Sequence, residues 1–472
     1  MLEIKNNIVT KYIDEPEDAD VIIPEGITEI GEEAFQFTHV RSVVLPEGLL
    51  TINNSAFFGC NMLESITLPT SLRSIERNAF DWCIKLENVT LPINLAFIGE
   101  YAFSTCLSLN HIAISESIEQ IDPCAFFSSG MTDVFLPDSL KVIPDSMFYN
   151  CIALRSVVIP QNVKTIESDA FRFCKSLTSI DIPEGVEVIG ENAFSECNSL
   201  EILRLPRSCK VIEKGAFSWC SCLREILFED GLESIGADAF SNCVSLKNID
   251  LPESVKQIGN YAFFNCENLV SVKLSDSLQV IPEGTFECCG SLVRAVLPNS
   301  LKQIGNDAFK LCTNLEAIKI PDGVISIGNT AFEGCEALGS VSIPGSVEYI
   351  GSRAFEGCKT INTITLPNKL QTICERSFCA CTELREIQFP QNIRSIGIGA
   401  FMECIKLEKV VLPDQLERIR KYAFQNCRRL KVIEATSPIA NIEILAFDGV
   451  ENVYVNGELA ASNEEIVKAL IL

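Results

Sequence analysis

Histidine, tryptophan and positive charge are scarce in this chain of 472 residues. The two histidines, His39 and His111, leave most metal sites and histidine-based proton transfer with almost no residues to use. Lys and Arg number 38 against 63 Asp and Glu, and the formal charge of -25 repels nucleic-acid phosphates and anionic lipid headgroups. We therefore expect no enzyme, no metal, no cofactor and no nucleic-acid partner.

Long apolar runs are also missing. A membrane-spanning helix needs roughly 18 apolar residues in succession, and neither the first 20 residues nor the final IVKALIL segment offers such a run. The first residues also lack the cationic start and apolar stretch of a secretory signal. These features predict no membrane insertion and a cytoplasmic location, with the cell surface or secretion as the alternative.

What the sequence has in abundance is a repeat. A phenylalanine, usually preceded by alanine, recurs nineteen times at intervals of 22 or 23 residues, and we call it the anchor phenylalanine. The anchors are Phe35, Phe57, Phe80, Phe103, Phe126, Phe148, Phe171, Phe194, Phe217, Phe240, Phe263, Phe286, Phe309, Phe332, Phe355, Phe378, Phe401, Phe424 and Phe447. A period in the twenties is typical of a solenoid.

One unit, residues 63–80, shows how the pattern predicts structure. Residues 65–68, Ser-Ile-Thr-Leu, alternate polar and apolar side chains, which is typical of a short strand with one buried face. Pro69 ends the strand because proline has no N–H to donate. Leu72 and Ile75 form a second apolar pair before the Ala-Phe step. We therefore expect one short parallel strand in each repeat.

Glycine stands four residues before the anchor in nine repeats. Pro144 and Pro282 occupy the same position and cannot adopt a positive φ. The glycines are therefore expected to allow close approach between neighbouring backbones.

The regular spacing predicts a mainly β repeat solenoid, a curved or twisted rod of nineteen repeats with an irregular or short-helical convex side. We divide the chain into an N-terminal β-hairpin cap at 1–20, a single solenoid at 21–450 and a C-terminal cap at 451–472. Asn6-Asn7 and Asn456-Gly457 are good pairs for tight hairpin turns.

The C-terminal cap also includes a predicted helix. Ser462 and Glu465 have the spacing of a helix capping box, which predicts a short helix that runs through Leu472.

The unit Leu-x-x-Ile-x-Leu-Pro-x-x-Leu-x-x-Ile-Gly-x-x-Ala-Phe-x-x-Cys resembles the BspA-like subclass of leucine-rich repeat proteins, over residues 21 to about 450. The resemblance implies the leucine-rich-repeat fold, and because the matching residues are all core, it specifies no ligand. Members are mostly bacterial or protist proteins, and some surface members are adhesins that bind host matrix proteins. The resemblance therefore adds a surface adhesin as an alternative function.

Cysteine stands three residues after the anchor in sixteen repeats and forms a ladder. Equivalent side chains in a solenoid point the same way, whereas a disulfide needs Cβ atoms that face each other and zinc needs a tetrahedral set. We favour buried free thiols that donate weakly to the next loop's carbonyl, and some disulfides or a metal remain the alternatives. Free thiols favour a reducing compartment.

Aromatic residues cluster one or two positions after the anchor in the N-terminal repeats, where the C-terminal repeats mostly carry charged or polar residues. This aromatic stripe comprises Phe37, Phe58, Trp82, Phe127, Tyr149, Phe173, Trp219 and Phe264. Two interpretations are open, because the rings could fill gaps between successive loops or could bind a partner.

The outward side chains of the strands form a second candidate surface. This face is mixed and weakly polar, with Phe135 as its lone aromatic residue and His111 as a solvated histidine. Hot spots usually need clustered aromatic residues or arginine, so a solvated sheet face and a binding face both remain open. The sequence as a whole predicts a non-enzymatic protein-binding scaffold, with an unidentified protein as the partner.

Overall fold

The computed structural model describes residues 1–14 and 20–471, and the chain divides into two compact units, Met1–Leu232 and Glu233–Leu472. The first unit contains nine anchor phenylalanines and the second contains ten. Residues 15–19 of the predicted N-terminal cap and Leu472 of the predicted helix lie outside the described residues.

Each repeat contributes a strand of three or four residues at the predicted place. Within a unit these strands pair in parallel with their neighbours, except that Ser340–Ser342 and Thr363–Thr365 belong to different sheets. In the repeat of Phe80 the strand covers Ser65–Thr67 and Leu68 is half-buried, so the predicted strand is one residue too long. In the first unit these strands are Asp20–Ile22, Ser42–Val44, Ser65–Thr67, Asn88–Thr90, His111–Ala113, Asp133–Phe135, Ser156–Val158, Ser179–Asp181, Ile202–Arg204 and Glu225–Leu227. In the second they are Asn248–Asp250, Ser271–Lys273, Arg294–Val296, Ala317–Lys319, Ser340–Ser342, Thr363–Thr365, Glu386–Gln388, Lys409–Leu412 and Val432–Ala435, and Val453–Val455 of the C-terminal cap continues the row.

The return leg of each repeat adds a two-residue strand, which the sequence analysis described only as an apolar pair. In the first unit these strands are Glu29–Ile30, Thr51–Ile52, Ser74–Ile75, Phe97–Ile98, Gln120–Ile121, Val142–Ile143, Thr165–Ile166, Val188–Ile189 and Val211–Ile212. In the second they are Ser234–Ile235, Gln257–Ile258, Val280–Ile281, Gln303–Ile304, Ser326–Ile327, Tyr349–Ile350, Thr372–Ile373, Ser395–Ile396, Arg418–Ile419 and Asn441–Ile442.

The anchor phenylalanines form the centre of the core. Their side chains are buried, and consecutive rings stack with centroids 4.8–5.8 Å apart in the first unit and 5.2–5.7 Å apart in the second. The residue before each anchor is small and leaves room for the ring, except at Phe148, where the buried Met147 precedes it. Where Thr285 or Ser377 replaces alanine, its hydroxyl donates to the carbonyl three residues earlier, so the buried polar group is satisfied.

The stretch from four residues before to three residues after each anchor, which we call the turn edge, contains no helix among the described residues. The residues two before and two after every anchor have positive φ, whatever their type. Around Phe332, the N–H groups of Thr330, Phe332 and Gly334 donate to carbonyls of the next repeat at 2.8–2.9 Å. The convex side was predicted to be irregular or short-helical, and the irregular alternative is correct. The same backbone conformation recurs in every repeat because alternate N–H groups all point toward the next repeat.

The glycines before the anchors allow close approach, as predicted. A Cβ on Gly99 would lie 2.7 Å from the backbone nitrogen of Arg77, and one on Gly328 would lie 2.5 Å from that of Asn306. Neither glycine has a positive φ, so the spacing between repeats is the reason for glycine here.

A hairpin of Leu2–Lys5 and Ile8–Tyr12 precedes the first repeat. The ring of Tyr12 stacks on Phe35 at 5.0 Å and so continues the column of anchor rings. The Tyr12 N–H donates to the Ala34 carbonyl at 2.6 Å, which satisfies an acceptor that has no preceding repeat to bond. The sequence analysis did not identify this role of Tyr12.

At the other end a hairpin of Val453–Val455 and Glu458–Ala460 is followed by the helix Asn463–Ile471. The Asn463 side chain accepts from the N–H of Phe447 at 3.0 Å, where the next repeat would otherwise supply a carbonyl. The Glu465 N–H donates to the Ser462 hydroxyl at 3.4 Å, and the Glu465 carboxylate accepts from the Ala461 N–H at 2.6 Å. The first hydrogen bond of the predicted capping box is therefore present. The second joins the Glu465 carboxylate to the N–H of Ala461 instead of the N–H of Ser462.

The ladder of two-residue strands is interrupted after Gln120–Ile121, Gln257–Ile258 and Tyr349–Ile350. Pro144 and Pro282 lie in the repeats that follow the first two interruptions. Residues at the same repeat position, such as Gly99, donate an N–H to the two-residue strand of the preceding repeat, and proline has no N–H to donate. Surface pockets of about 530 and 770 Å³ lie at the first and third interruptions.

Hydrogen exchange is expected to detect these interruptions. Among the described residues Lys141 and Gln371 have no backbone partner for their N–H, whereas Lys164 and Arg394 in the following repeats donate at 2.7 and 2.9 Å. We expect the Lys141 and Gln371 amides to exchange at least about tenfold faster than their two counterparts under native conditions. Equal protection of each pair would mean that the ladder is continuous in solution.

Candidate functional site

The structure places all eight residues of the aromatic stripe on the turn edge, at its surface or partly buried within it. Phe37, Trp82 and Trp219 are 64, 55 and 54% exposed, and the others are half-buried. Seven of the eight belong to the first unit, and we call these seven the aromatic edge. They are Phe37, Phe58, Trp82, Phe127, Tyr149, Phe173 and Trp219. The eighth, Phe264, lies in the second unit and packs edge-on against Tyr261 at 6.0 Å.

One part of the aromatic edge fills gaps between repeats. The rings of Phe127 and Tyr149 stack at 4.8 Å, and Phe173 packs edge-on against Tyr149 at 5.3 Å. The guanidinium of Arg172 lies 4.9 Å from the centroid of the Phe173 ring, within the range of a cation–π interaction. For these three rings the packing interpretation accounts for the contacts.

Another part of the aromatic edge surrounds a pocket of about 380 Å³, which we call the notch. It is lined by Phe37, Phe58, Gly59, Asn61, Trp82 and Ile84. The rings of Phe37 and Phe58 meet at 84° with centroids 5.3 Å apart. A Cβ on Gly59 would lie 2.5 Å from the Phe37 ring, so this ring lies over the glycine.

Several exposed rings of the aromatic edge also occupy a costly backbone conformation. Phe37, Trp82 and Trp219 have φ of 56, 62 and 61°. A residue with a side chain pays roughly 1–2 kcal/mol in the left-handed region, but this position has a positive φ in every repeat, including those with Thr105 and Glu196. The hydrogen bonds between repeats impose this conformation, so what distinguishes the three residues is an aromatic ring that is more than half exposed.

A carboxyl group lies next to the notch in the chain. Asp81 is 8% exposed, and its Oδ1 has no hydrogen-bond partner among the described residues. Burial raises the pKa of Asp81 above its ordinary value, while a hydrogen bond with the Ser104 side chain acts in the opposite direction. Asp81 directly follows its anchor, as Phe58 does in the preceding repeat. At this repeat position a buried acid therefore comes one repeat after the Phe58 ring of the notch.

The second unit carries ions at the turn edge where the first unit carries rings. The Lys310 ammonium lies 3.1 Å from both Glu287 and Asp307, and Glu356 pairs with Arg376. Burial, together with the Glu356 carboxylate, raises the pKa of Glu333. The contrast between the two halves of the chain, expected from the sequence, is therefore a contrast in the packing of the turn edge.

Phe135, the other predicted binding residue, lies on the strand face and is 62% exposed. It pairs with Ala113 and Val158 in the neighbouring strands, and Val158 is itself 55% exposed. His111 is exposed on the adjacent strand, as expected. The structure does not bring Phe135 together with any ring of the aromatic edge described above.

All sixteen ladder cysteines are buried and free. Thiols along the ladder donate to the carbonyl of the anchor phenylalanine in the preceding repeat, as in Cys83 to Phe57 and Cys335 to Phe309, both at 3.2 Å. The predicted direction, toward the next loop, is therefore wrong. The thiol hydrogen points back because the carbonyl of each anchor points toward the following repeat's cysteine. Burial raises the pKa of Cys335 to about 12.

We expect these thiols to be unreactive in the folded protein, because the thiolate is the nucleophile and burial disfavours it. In native buffer at pH 8 a thiol reagent should modify the exposed Cys222 promptly and leave the ladder unmodified, whereas denaturant should expose all 22 cysteines. Cys222→Ser provides the control for the fast phase. Rapid native modification of the ladder would contradict the buried arrangement.

The family pattern described as the BspA type leucine rich repeat region matches residues 28–155, 141–252, 233–362 and 348–466. The chain belongs to this BspA-type leucine-rich repeat family. The resemblance inferred from the motif is thereby confirmed, and the chain is a leucine-rich-repeat scaffold. No match is found among curated proteins.

Solved leucine-rich repeat structures are similar to the chain. One from Bacteroides ovatus is 27% identical, covers 92% of this chain and 97% of its own, and has a TM-score of 0.53, which supports the BspA-type solenoid fold. One from T. pallidum is 33% identical over 39% of this chain and 77% of its own, with a TM-score of 0.33. A leucine rich cell surface protein from Faecalibacterium prausnitzii is 24% identical, covers 82% of this chain and 94% of its own, and has a TM-score of 0.40.

Within the part of the chain that the structure describes, no helix has the length and apolar character to cross a membrane.

Proposed function

We propose that this BspA-type chain is a non-enzymatic scaffold that binds a protein partner through the aromatic edge of its first unit. The observation that carries the proposal is the exposure of three aromatic rings on one edge of the first unit, since Phe37, Trp82 and Trp219 are each more than half exposed. Exposed tryptophans and phenylalanines are also the residues that dominate protein interfaces.

Replacing Trp82 and Trp219 by asparagine tests the proposal. Asparagine tolerates the left-handed conformation, so we expect each substitution to stabilise the first unit by about 1 kcal/mol and the pair to abolish partner binding. Thermal melts measure the first effect. Affinity capture from native cell extract, quantified by mass spectrometry against the wild-type chain, measures the second.

Leu311→Asn is the matched control. Leu311 occupies the same repeat position with φ of 58° and is 42% exposed, but it lies in the second unit. It should show a similar gain in stability while partner binding is retained. A set of captured partners that is unchanged by the Trp82 and Trp219 substitutions would overturn the proposal.

A further inference from the structure

The notch differs from the rest of the aromatic edge in that its rings leave space between them. Phe37 and Trp82 stand two repeats apart at the same repeat position, and both line the pocket of about 380 Å³. The residue between them at that position is Gly59, whose missing side chain leaves room for the Phe37 ring. With Phe58 set perpendicular to Phe37, three aromatic side chains surround the space.

Aromatic walls of this kind attract cations, because the face of each ring carries partial negative charge. The surrounding charge acts in the same direction. The first unit has 16 Lys and Arg against 34 Asp and Glu, a net charge of −18, whereas the second has 22 against 29, a net charge of −7. The occupant that fits this environment is positively charged.

The lining also selects among cations. A lysine ammonium brings three N–H donors and an arginine guanidinium brings five, but among the residues described as lining the notch only Asn61 has a side chain that can accept a hydrogen bond. A trimethylammonium group carries a full positive charge and no N–H donor. It can therefore lie directly against the aromatic lining, whereas an unmodified lysine or arginine must keep water on its N–H donors, and that water separates the charge from the rings.

We infer that the notch binds the trimethylammonium group of a trimethyllysine side chain on a protein partner. This inference rests on the proposed function, since the notch is part of the aromatic edge. The notch is open, with more than half of Phe37 and Trp82 exposed, whereas sites for small free ligands bury most of the ligand surface. A long side chain presented by another protein suits such an opening, and basic residues around it would match the acidic unit.

Calorimetric titration of the full chain with peptides tests the inference. The probe is an arginine-flanked peptide with one trimethyllysine, compared with the same peptide carrying unmodified lysine or the neutral isostere in which carbon replaces the ammonium nitrogen. We expect the trimethyllysine peptide to bind at least about fivefold more tightly than either. Equal binding of the neutral isostere would overturn the inference by showing a purely apolar site, and so would the absence of binding at millimolar peptide.

Phosphocholine distinguishes the source of the group. It carries the same trimethylammonium group without a peptide, so we expect it to bind more weakly than the trimethyllysine peptide. Tighter binding of phosphocholine would overturn the assignment to a protein side chain.

Two variants locate the binding. Trp82→Asn removes one wall and should abolish peptide binding. Leu311→Asn has the same repeat position as Trp82 but lies in the second unit and does not line the notch, and it should bind the peptide like wild type. If Trp82→Asn binds the peptide like wild type, the notch is not the site. If no peptide binds while Trp82→Asn still loses the captured partners, only this inference fails and the proposed function stands.

Discussion

Replacing Phe171 by alanine is expected to destabilise the first unit by about 3–5 kcal/mol. The ring is fully buried and stacks on Phe148 at 5.3 Å and on Phe194 at 5.0 Å, so its loss leaves a cavity and removes both contacts at once. Because neighbouring repeats stabilise one another, the damage should extend to the repeats on either side. Urea denaturation followed by circular dichroism measures the total, and native-state hydrogen exchange shows which repeats open.

Phe135→Ala is the control for this experiment. It makes the same chemical change in the same unit, but at a side chain that is 62% exposed, so the expected change is within about 0.5 kcal/mol. A comparable loss from the two substitutions would mean that the column of rings is not the principal support of the unit.

Replacing Tyr12 by alanine is expected to open the N-terminal end of the first unit at a cost of about 3 kcal/mol. Tyr12 is 4% exposed and covers the face of Phe35, which has no anchor ring before it. Without Tyr12 this face meets water, and the first repeats should fray one after another. Hydrogen exchange of the Phe35 amide, which donates to Ala56 at 2.7 Å, measures the opening.

Ile4→Ala tests whether the effect belongs to the ring or to the hairpin in general. Ile4 lies in the same hairpin and is 46% exposed. Its substitution should leave the exchange of the Phe35 amide almost unchanged. If both variants open the first repeats equally, the hairpin acts as a whole and Tyr12 has no special role.

The parts of the fold that repeat every 22 or 23 residues could be predicted from the sequence, because a pattern present nineteen times averages out local exceptions. The anchors, the three-residue strands and the buried thiols belong to this group. The positive φ on both sides of each anchor could not be predicted, since residues as different as Trp82, Thr105 and Glu196 all adopt it. There the hydrogen bonds between repeats impose the backbone conformation and override residue preference.

The breaks in the two-residue ladder had a partial signal in the sequence. Pro144 and Pro282 cannot donate an N–H, and two of the three breaks occur directly before them. At the third break Cys374 has an N–H, and no feature of the structure explains the interruption there.

The candidate site was visible in the sequence as a set of rings but not as a pocket. The pocket depends on side-chain orientation relative to the neighbouring repeats. This orientation decides whether Phe37 contacts Phe58 and whether Trp82 lines the same space. Gly59 was the available clue, because a small residue at that position in the middle repeat gives the Phe37 ring a place to lie. The sequence analysis assigned no role to Gly59.

The one-way direction of the hydrogen bonds along the turn edge has a consequence for how such chains change in evolution. Every junction inside a unit joins the same three donors to the same three acceptors, so the loss or duplication of a single 23-residue segment recreates a junction that already exists. Recombination between repeats can therefore alter the length of the chain without selection for new contacts at the join. The notch is different, since its lining comes from three successive repeats, and these three must be inherited together for the surface to survive.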